Sequence, residues 1–415
     1  MPALPRFSLT GSLLFILFSV SPSVIAGETL TLARAEQLAL ANAPLLSHHR
    51  TNVTAASERA VYESRLPDPQ LMIGVVNVPT DSFSTRQDDM TMQMIGIRQS
   101  FPPGDTLALK ERRAQKDVSR EEAKLEIERR MLIKKVRQLW LDLYVQEQSV
   151  HLVEESRALQ SRALAAAEGR YRAAQEPQRA VMRARQELAR LDDRLLMLKA
   201  QASGLRAQLG RWLGDAANDP LPPEPPILPL LATDFDVARH PTWLAAQAGR
   251  EVAQAEVDIA RQQYKPGMMF DLTYGVRQNA PSGMQRSNMV SAVVTFDLPI
   301  FRNKRQDRRL TEKQSLETAA GFEADDMRRD LESMYRAVLA EYNALKARAR
   351  VAEEQLLPSA RAEAKATAAG GARDANEIRE AQMRALDAEL DLIRLRADLA
   401  KSHAELLYLT GEPQS

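Results

Sequence analysis

The feature that most constrains this chain is that it runs one plan twice, 197 residues apart. Gly214 closes the run Gly210-Arg211-Trp212-Leu213-Gly214, Gly411 closes Leu406-Leu407-Tyr408-Leu409-Thr410-Gly411, and 411 − 214 = 197. The same offset relates Pro44 to Pro241, Pro69 to Pro266, Met72 to Met269, Pro102 to Pro299 and Ala184 to Ala381. An offset held across a whole unit marks a duplication, and self-similarity at long period is weighed before any local pattern. Between the copies lie six prolines within residues 220–229. They exclude helix and favour an extended, semi-rigid strap. The expected organisation is a first repeat over 27–214, a proline-rich linker over 215–233, a second repeat over 234–411 and a tail at 412–415.

Proline and glycine punctuate each repeat in the same places. Thr31 is a suitable N-cap for a short helix, and Pro44 suits the first turn of the next, which runs to about residue 66. Pro67-Asp68-Pro69 stops it. Two strand-like segments follow, 70–78 and 91–101, joined by a polar loop over 80–89. Pro102-Pro103-Gly104 ends the second. From there to about Glu168 the chain has no proline and no internal glycine, which predicts about 65 residues of helix, about 95 Å long. A break over 169–177 precedes a return helix to Leu213. The second repeat predicts a helix over 241–264, strands over 268–277 and 289–298, a long helix over 303–369, a break at Gly370-Gly371 and a last helix ending by Gly411.

The N-terminus reads as a secretory signal over 1–26. Arg6 precedes an apolar stretch over 9–20, and Val24-Ile25-Ala26 offers the small-x-small pattern of a cleavage site. The chain has no cysteine, so disulfides, thiolate metal sites and N-terminal lipidation are excluded. With Lys+Arg 56 against Asp+Glu 55, interspersed, the charge pattern is not that of a nucleic-acid binder. No apolar run after Gly27 is long enough for a membrane-spanning helix, so any crossing must be made by strands. No catalytic constellation and no cofactor motif is present, so no enzyme is expected.

The strands alternate. Ile95, Ile97, Gln99 and Phe101 share one face, and Gly96, Arg98 and Ser100 the other. In the second repeat Ala292, Val294 and Phe296 oppose Ser291, Val293, Thr295 and Asp297. That suits strands facing lipid on one side and a lumen on the other. Alternation alone equally admits two soluble hairpins packed on the helices. Phe83, Phe101, Tyr274 and Phe301 fall near strand ends, where interfacial aromatics belong. Met90, Met92 and Met94 recur at period two on the face of Arg98, with Met289 matching Met92. Thioethers take soft ions such as Cu(I), although Met is more often adaptable apolar filling. His48-His49 point apart on a helix and make a poor metal pair. Four strands are too few to close around a pore, so a pore-forming chain must be an oligomer, and a trimer gives twelve strands.

In this arrangement the chain resembles the TolC family of outer-membrane factors. The resemblance is carried by the opening 32–44 with its Leu-Ala-Arg-Ala-Glu start, the strand exits Gln99-Ser100-Phe101-Pro102 and Phe296-Asp297-Leu298-Pro299, the return helices ending in Leu-Gly and Thr-Gly, and the proline linker. It implies a mainly α chain with a transmembrane β-barrel: long helical hairpins forming a trimeric α-barrel across the periplasm, continuous with a 12-stranded barrel in the outer membrane of a Gram-negative bacterium. It further implies a passive efflux channel, for metal cations or drugs. Its partners would be a homotrimer, outer-membrane lipid, a periplasmic adaptor (membrane fusion protein) and an inner-membrane pump of the resistance-nodulation-division type. The segments Arg170-Tyr171-Arg172-Ala173-Ala174 and Ala184-Arg185-Gln186-Glu187-Leu188 look like the heavy-metal (cobalt–zinc–cadmium) branch.

The resemblance makes Gly169, Arg170, Tyr171, Gly370 and Gly371 the tips that meet the adaptor. Gly371-Ala372-Arg373, followed by Glu377 and Glu380-Ala381, resembles the family's gate segment. There an acidic pair forms the constriction and the arginine helps to hold it shut. Glutamates stand here where the family has aspartates. The first repeat has Ala180 and Arg183 at the positions of Glu377 and Glu380, so any acidic gate belongs to the second tip. The alternative function is a soluble periplasmic coiled-coil adaptor.

Overall fold

A computed structural model describes residues 29–232, 234–369 and 375–411. The expected signal segment and C-terminal tail lie outside the described residues, as do Gly370, Gly371 and Arg373. The order helix, two strands, long helix and return helix is traversed twice, and a short opening helix in the first half has no α-helical counterpart in the second. Helices α1 (Leu32–Asn42) and α2 (Pro44–Glu63) lead into strands β1 (Gln70–Val76) and β2 (Met92–Phe101). Helix α3 (Thr106–Arg172) and return helix α4 (Gln178–Leu213) complete the first half. The second half contributes α5 (Pro241–Gln262), β3 (Met268–Val276), β4 (Met289–Phe296), α6 (Gln306–Val351), α7 (Leu357–Ala369) and return helix α8 (Ala375–Thr410). No helix among the described residues is long and apolar enough to cross a membrane.

Positions 197 apart occupy like places. The Thr31 hydroxyl accepts the Arg34 N–H at 3.2 Å to cap α1. Pro44 and Pro241 each open a helix, where a missing N–H is not needed. Gly214 and Gly411 follow the two return helices with φ of 58° and 79°, a backbone region in which a Cβ is costly.

Two helix boundaries depart from the expected ones. Helix α3 does not break at Gly169 but continues for 67 residues, about 100 Å. A single helical glycine costs only about 1 kcal/mol, too little to end a packed helix. The chain turns instead at a Schellman motif: the Gln175 N–H reaches the Arg170 carbonyl at 2.8 Å and the Ala174 N–H the Tyr171 carbonyl at 2.9 Å. The residue at its left-handed position is Ala174, with φ of 55°. Glycine usually marks that place, so the sequence signalled a break over 169–177 without showing that the chain turns only in the second half of that break.

The second long helix is not continuous either. Residues Ala352–Leu356 form a π-helical turn, in which the Leu357 N–H bonds to the Ala352 carbonyl five residues back. The cause is Pro358, which has no N–H and whose ring, in α geometry, would strike the carbonyl of Glu354. Widening the helix just before the ring relieves that clash. Position 161, the equivalent in α3, is a serine, and α3 is α-helical without interruption.

The four strands form one antiparallel sheet in the order β1-β2-β3-β4. Its central pairing, β2 with β3, joins the two halves in a register that sets Arg98 opposite Asp271. Below the sheet the helices pack along their lengths, and the main core lies about halfway down. There Leu30, Val136, Trp140, Leu143 and Leu209 are fully buried, each apolar side chain contributing about 1.5–3 kcal/mol. The Trp140 indole donates to the Leu30 carbonyl at 2.9 Å and stacks on Tyr144, with ring centroids 5.6 Å apart. The proline strap is bound over this core. Pro220 accepts from the Leu30 N–H at 2.9 Å, Pro223 from the Tyr144 hydroxyl at 2.9 Å, and the Pro229 carbonyl meets the His403 ring at 2.8 Å. A second cluster, Val153, Leu191, Leu198, Leu386 and Leu390, ties the first hairpin to α8.

Candidate channel surfaces and periplasmic tips

Because side chains alternate along a strand and paired residues share a face, the register fixes both surfaces of the sheet. One face carries Leu71, Ile73 and Val75 of β1, Ile95 and Ile97 of β2, Phe270, Leu272 and Tyr274 of β3, and Val290, Ala292 and Val294 of β4. Only Gln93 and Gln99 interrupt it. These apolar side chains are open to the surroundings: Ile73 is 75% exposed and Val290 69%. A soluble hairpin packed on the helices would bury such a face, and among the described residues no helix covers it. A contiguous apolar patch of this kind marks an interaction surface or a membrane.

The opposite face is polar. Arg98 clasps Asp271 through two bonds, Nε to Oδ1 at 2.6 Å and Nη2 to Oδ2 at 3.0 Å. The bidentate pair locks the register between the halves. Ser100, Thr273, Ser291 and Thr295 surround it. Glycines thin this face. A Cβ on Gly96 would stand 2.8 Å from the Leu272 carbonyl oxygen, closer than any side chain tolerates. At the far end of the sheet, the loops over 77–91 and 277–288 are clamped together by Arg286. Its guanidinium donates to the carbonyls of Arg86 at 3.0 Å, Asp88 at 3.2 Å and Gln278 at 3.3 Å and pairs with Asp89.

Met92 and Met94 lie on the polar face of β2, and Met289 on the same face of β4. Met90 does not join them. It sits in the turn before β2, half exposed, its carbonyl accepting from Asn77 at 3.1 Å. Period two ends where the strand ends. Phe83 stands at the loop tip, while Phe101 and Tyr274 share the apolar face and Phe301 follows β4.

At the other end of the molecule, Gly169, Arg170 and Tyr171 form the last turn of α3. Arg170 pairs with Glu176 across the turn at 3.1 Å, and Tyr171 is half exposed. Glu377 and Glu380 lie in the first turns of α8, on a cleft of about 770 Å³ shared with Arg183, Glu187 and Arg190 of α4. The cleft brings together residues of both halves, and its lining includes Arg183, which occupies the equivalent of Glu380 in the first half. Arg384 bridges Glu363 of α7 at 2.8 Å and stands 3.9 Å from Glu380, while Arg194 and Asp387 hold α4 to α8 at 3.0 Å. The presence of Arg183 in the same cleft was invisible in the sequence, since nothing local announces that α4 and α8 lie side by side.

Residues 237–412 match the family of outer membrane efflux proteins. The fold of nearly the whole chain matches solved structures of outer-membrane proteins. CusC superposes with a TM-score of 0.77 at 15% identity, covering 93% of each chain. VceC, an outer membrane protein of Vibrio cholerae, gives 0.75 at 18% identity over 92% of this chain and 96% of that one. The second half of the chain is thus similar to the outer membrane efflux proteins. A membrane protein from Pseudomonas aeruginosa matches with a TM-score of 0.76 at 17% identity, over 94% and 98% of the two chains. Among curated proteins, CyaE of Bordetella pertussis is 30% identical over 171 residues, 37% of this chain and 35% of that protein. The match thus spans about a third of that relative's length. The chain therefore has the mainly helical fold of these solved outer-membrane proteins, with four strands among the described residues.

Proposed function

We propose that three copies of this chain form an outer-membrane channel of a Gram-negative efflux system. The channel conducts passively, and energy comes from an inner-membrane pump of the resistance-nodulation-division type acting through a periplasmic adaptor. The observation that carries this reading is the open, four-stranded sheet whose apolar face lies bare while its polar face holds an ion pair. Four strands leave the β1 and β4 edges unpaired, and exposed edges invite strand pairing with another copy. Three copies, each joining β4 to the next chain's β1, close twelve strands, with the apolar face to outer-membrane lipid and Arg98 and Asp271 toward water. The halves 27–214 and 234–411 act as two arms of one protomer, fastened by the strap over 215–233. In this arrangement Gly169, Arg170 and Tyr171 meet the adaptor, together with Gly370 and Gly371.

Glu377 and Glu380, with Arg373, are the proposed gate. Six carboxylates around the axis would repel one another and attract cations, while Arg183 on α4 supplies a counter-charge on the cleft wall. We take metal cations as the cargo, in line with the resemblance to the heavy-metal branch. The test of the gate is single-channel recording with added divalent cations. Glu377→Gln with Glu380→Gln should relieve cation block by at least tenfold, and unchanged block would remove these residues from the gate.

A further inference from the structure

The sheet register reveals an arrangement of methionines that the fold does not require. One row across the polar face reads Gly74, Met94, Gly275, Met289, one residue from each strand in turn. Methionine therefore alternates with glycine, and Met94 has bare backbone on both sides. Nothing stands within 4 Å of where a Cβ on Gly74 would be, and the corresponding space above Gly275 is occupied by the Met92 sulfur. Met94 and Met289 flank Gly275 from opposite sides, two strand spacings apart, about 9.6 Å between backbones. Extended methionine side chains leaning over the glycine close that gap, and Met92 already lies there.

We propose that Met92, Met94 and Met289 form a soft-metal site over Gly275, taking a monovalent d¹⁰ ion of the Cu(I) class through three thioethers. The case rests on chemistry and placement. Thioether sulfur is the neutral protein ligand that selects Cu(I) over harder cations. Met is also adaptable filler, but filler belongs in an apolar core. These three side chains are half-buried on the face that holds Arg98, Asp271, Thr273 and Ser291. On a polar, water-facing surface a leucine, serine or threonine would do as well for packing. Gly275 leaves the space in which the Met92 sulfur rests, and a side chain there would have to displace it. A neutral ligand set without carboxylate or thiolate binds weakly enough to release its ion, as a conducting surface requires. That the face is a lumen rests on the channel proposed above; the ligand set itself does not.

The test is titration of the purified, detergent-solubilised full chain with Ag(I), a redox-inert probe of the same class, followed by calorimetry. Cu(I) loaded anaerobically is then examined by X-ray absorption. The site predicts one saturable Ag(I) per chain and a copper first shell of sulfur. Met92→Leu, Met94→Leu and Met289→Leu together should weaken binding at least tenfold, while Met90→Leu with Met284→Leu, both in loops, leaves it unchanged. Absent stoichiometric binding, or equal binding by the triple variant, would overturn the site. Metal-free conductance of the same preparations separates the two proposals. A conducting protein without the site refutes only the site, and a non-conducting protein that binds Ag(I) through these sulfurs refutes only the channel.

Discussion

His240 offers a quantitative test of the packing where the start of α5 meets the end of α8. It is the N-cap of α5, and its Nδ1 accepts the Thr242 N–H at 3.2 Å, which requires that nitrogen to be unprotonated. The ring is 1% exposed and meets Tyr408 edge-on at 5.5 Å. Burial, with the nearby Arg130 charge, lowers its pKa from 6.5 to about 4. In the unfolded chain the imidazole takes up a proton below about 6.5, whereas in the folded chain it does so only near 4. The unfolded state therefore binds more protons in that window, and stability falls as the pH falls through it. The full difference of about 2.5 units corresponds to about 3 kcal/mol per chain, of which about 2 is lost by pH 5. Asparagine can cap the helix without titrating. Denaturant unfolding of wild type and His240→Asn, followed by circular dichroism at pH 7.5, 6, 5 and 4.5, isolates the effect from the carboxylates common to both. The variant should be the less stable at pH 7.5, and the gap should narrow by about 2 kcal/mol by pH 5. Parallel profiles would show that His240 is not held neutral, and that the packing around α5 and α8 is not as described.

The remaining predictions concern the turn, the π-helical segment and the sheet. Ala174→Gly should stabilise the α3–α4 hairpin by about 1 kcal/mol, since only glycine is at ease at the left-handed position of a Schellman motif; a lowered unfolding midpoint would contradict the turn geometry. Pro358→Ala restores a donor beside the π-helical turn, so amide exchange over 353–360 should slow in the variant, and unchanged exchange would show that the proline does not cause the distortion. Ile73→Lys and Val290→Lys should each cost about 2–4 kcal/mol in bilayer and reduce the amount of assembled protein in outer membranes, whereas Ser291→Lys on the opposite face should assemble normally; equal tolerance on both faces would dissociate the apolar surface from lipid.

What the sequence made legible followed from short-range physics. The helix starts at Thr31, Pro44 and Pro241, and the strands that alternate at period two, lie within one or two residues of their expected positions. Both faces of β2 and β4 are as the alternation of Ile95 to Phe101 and of Ser291 to Phe296 required. Partners far apart in the chain were not legible. The pairing of Arg98 with Asp271 spans 173 residues, and the cleft that brings Arg183 to Glu377 and Glu380 depends on α4 meeting α8. Within the expected break over 169–177, Ala174 concealed where the chain turns because it fills a glycine's place, and Gly169 suggested a start that the packed helix absorbed. Pro358 was a local signal for the π-helical turn, masked by the long helical pattern around it. Met90 looked like part of the methionine series until the strand was seen to begin at Met92, while Met289 joined that series only through the register.

The central claim is that each chain supplies a third of a lipid-spanning barrel. Electrophoresis of membrane extracts with and without heating, together with the native mass of the detergent-solubilised protein, tests it most directly. The account predicts a protein released only by detergent, with a native mass of three chains and a trimer band that collapses to monomer on heating. A monomer in the soluble periplasmic fraction would contradict it.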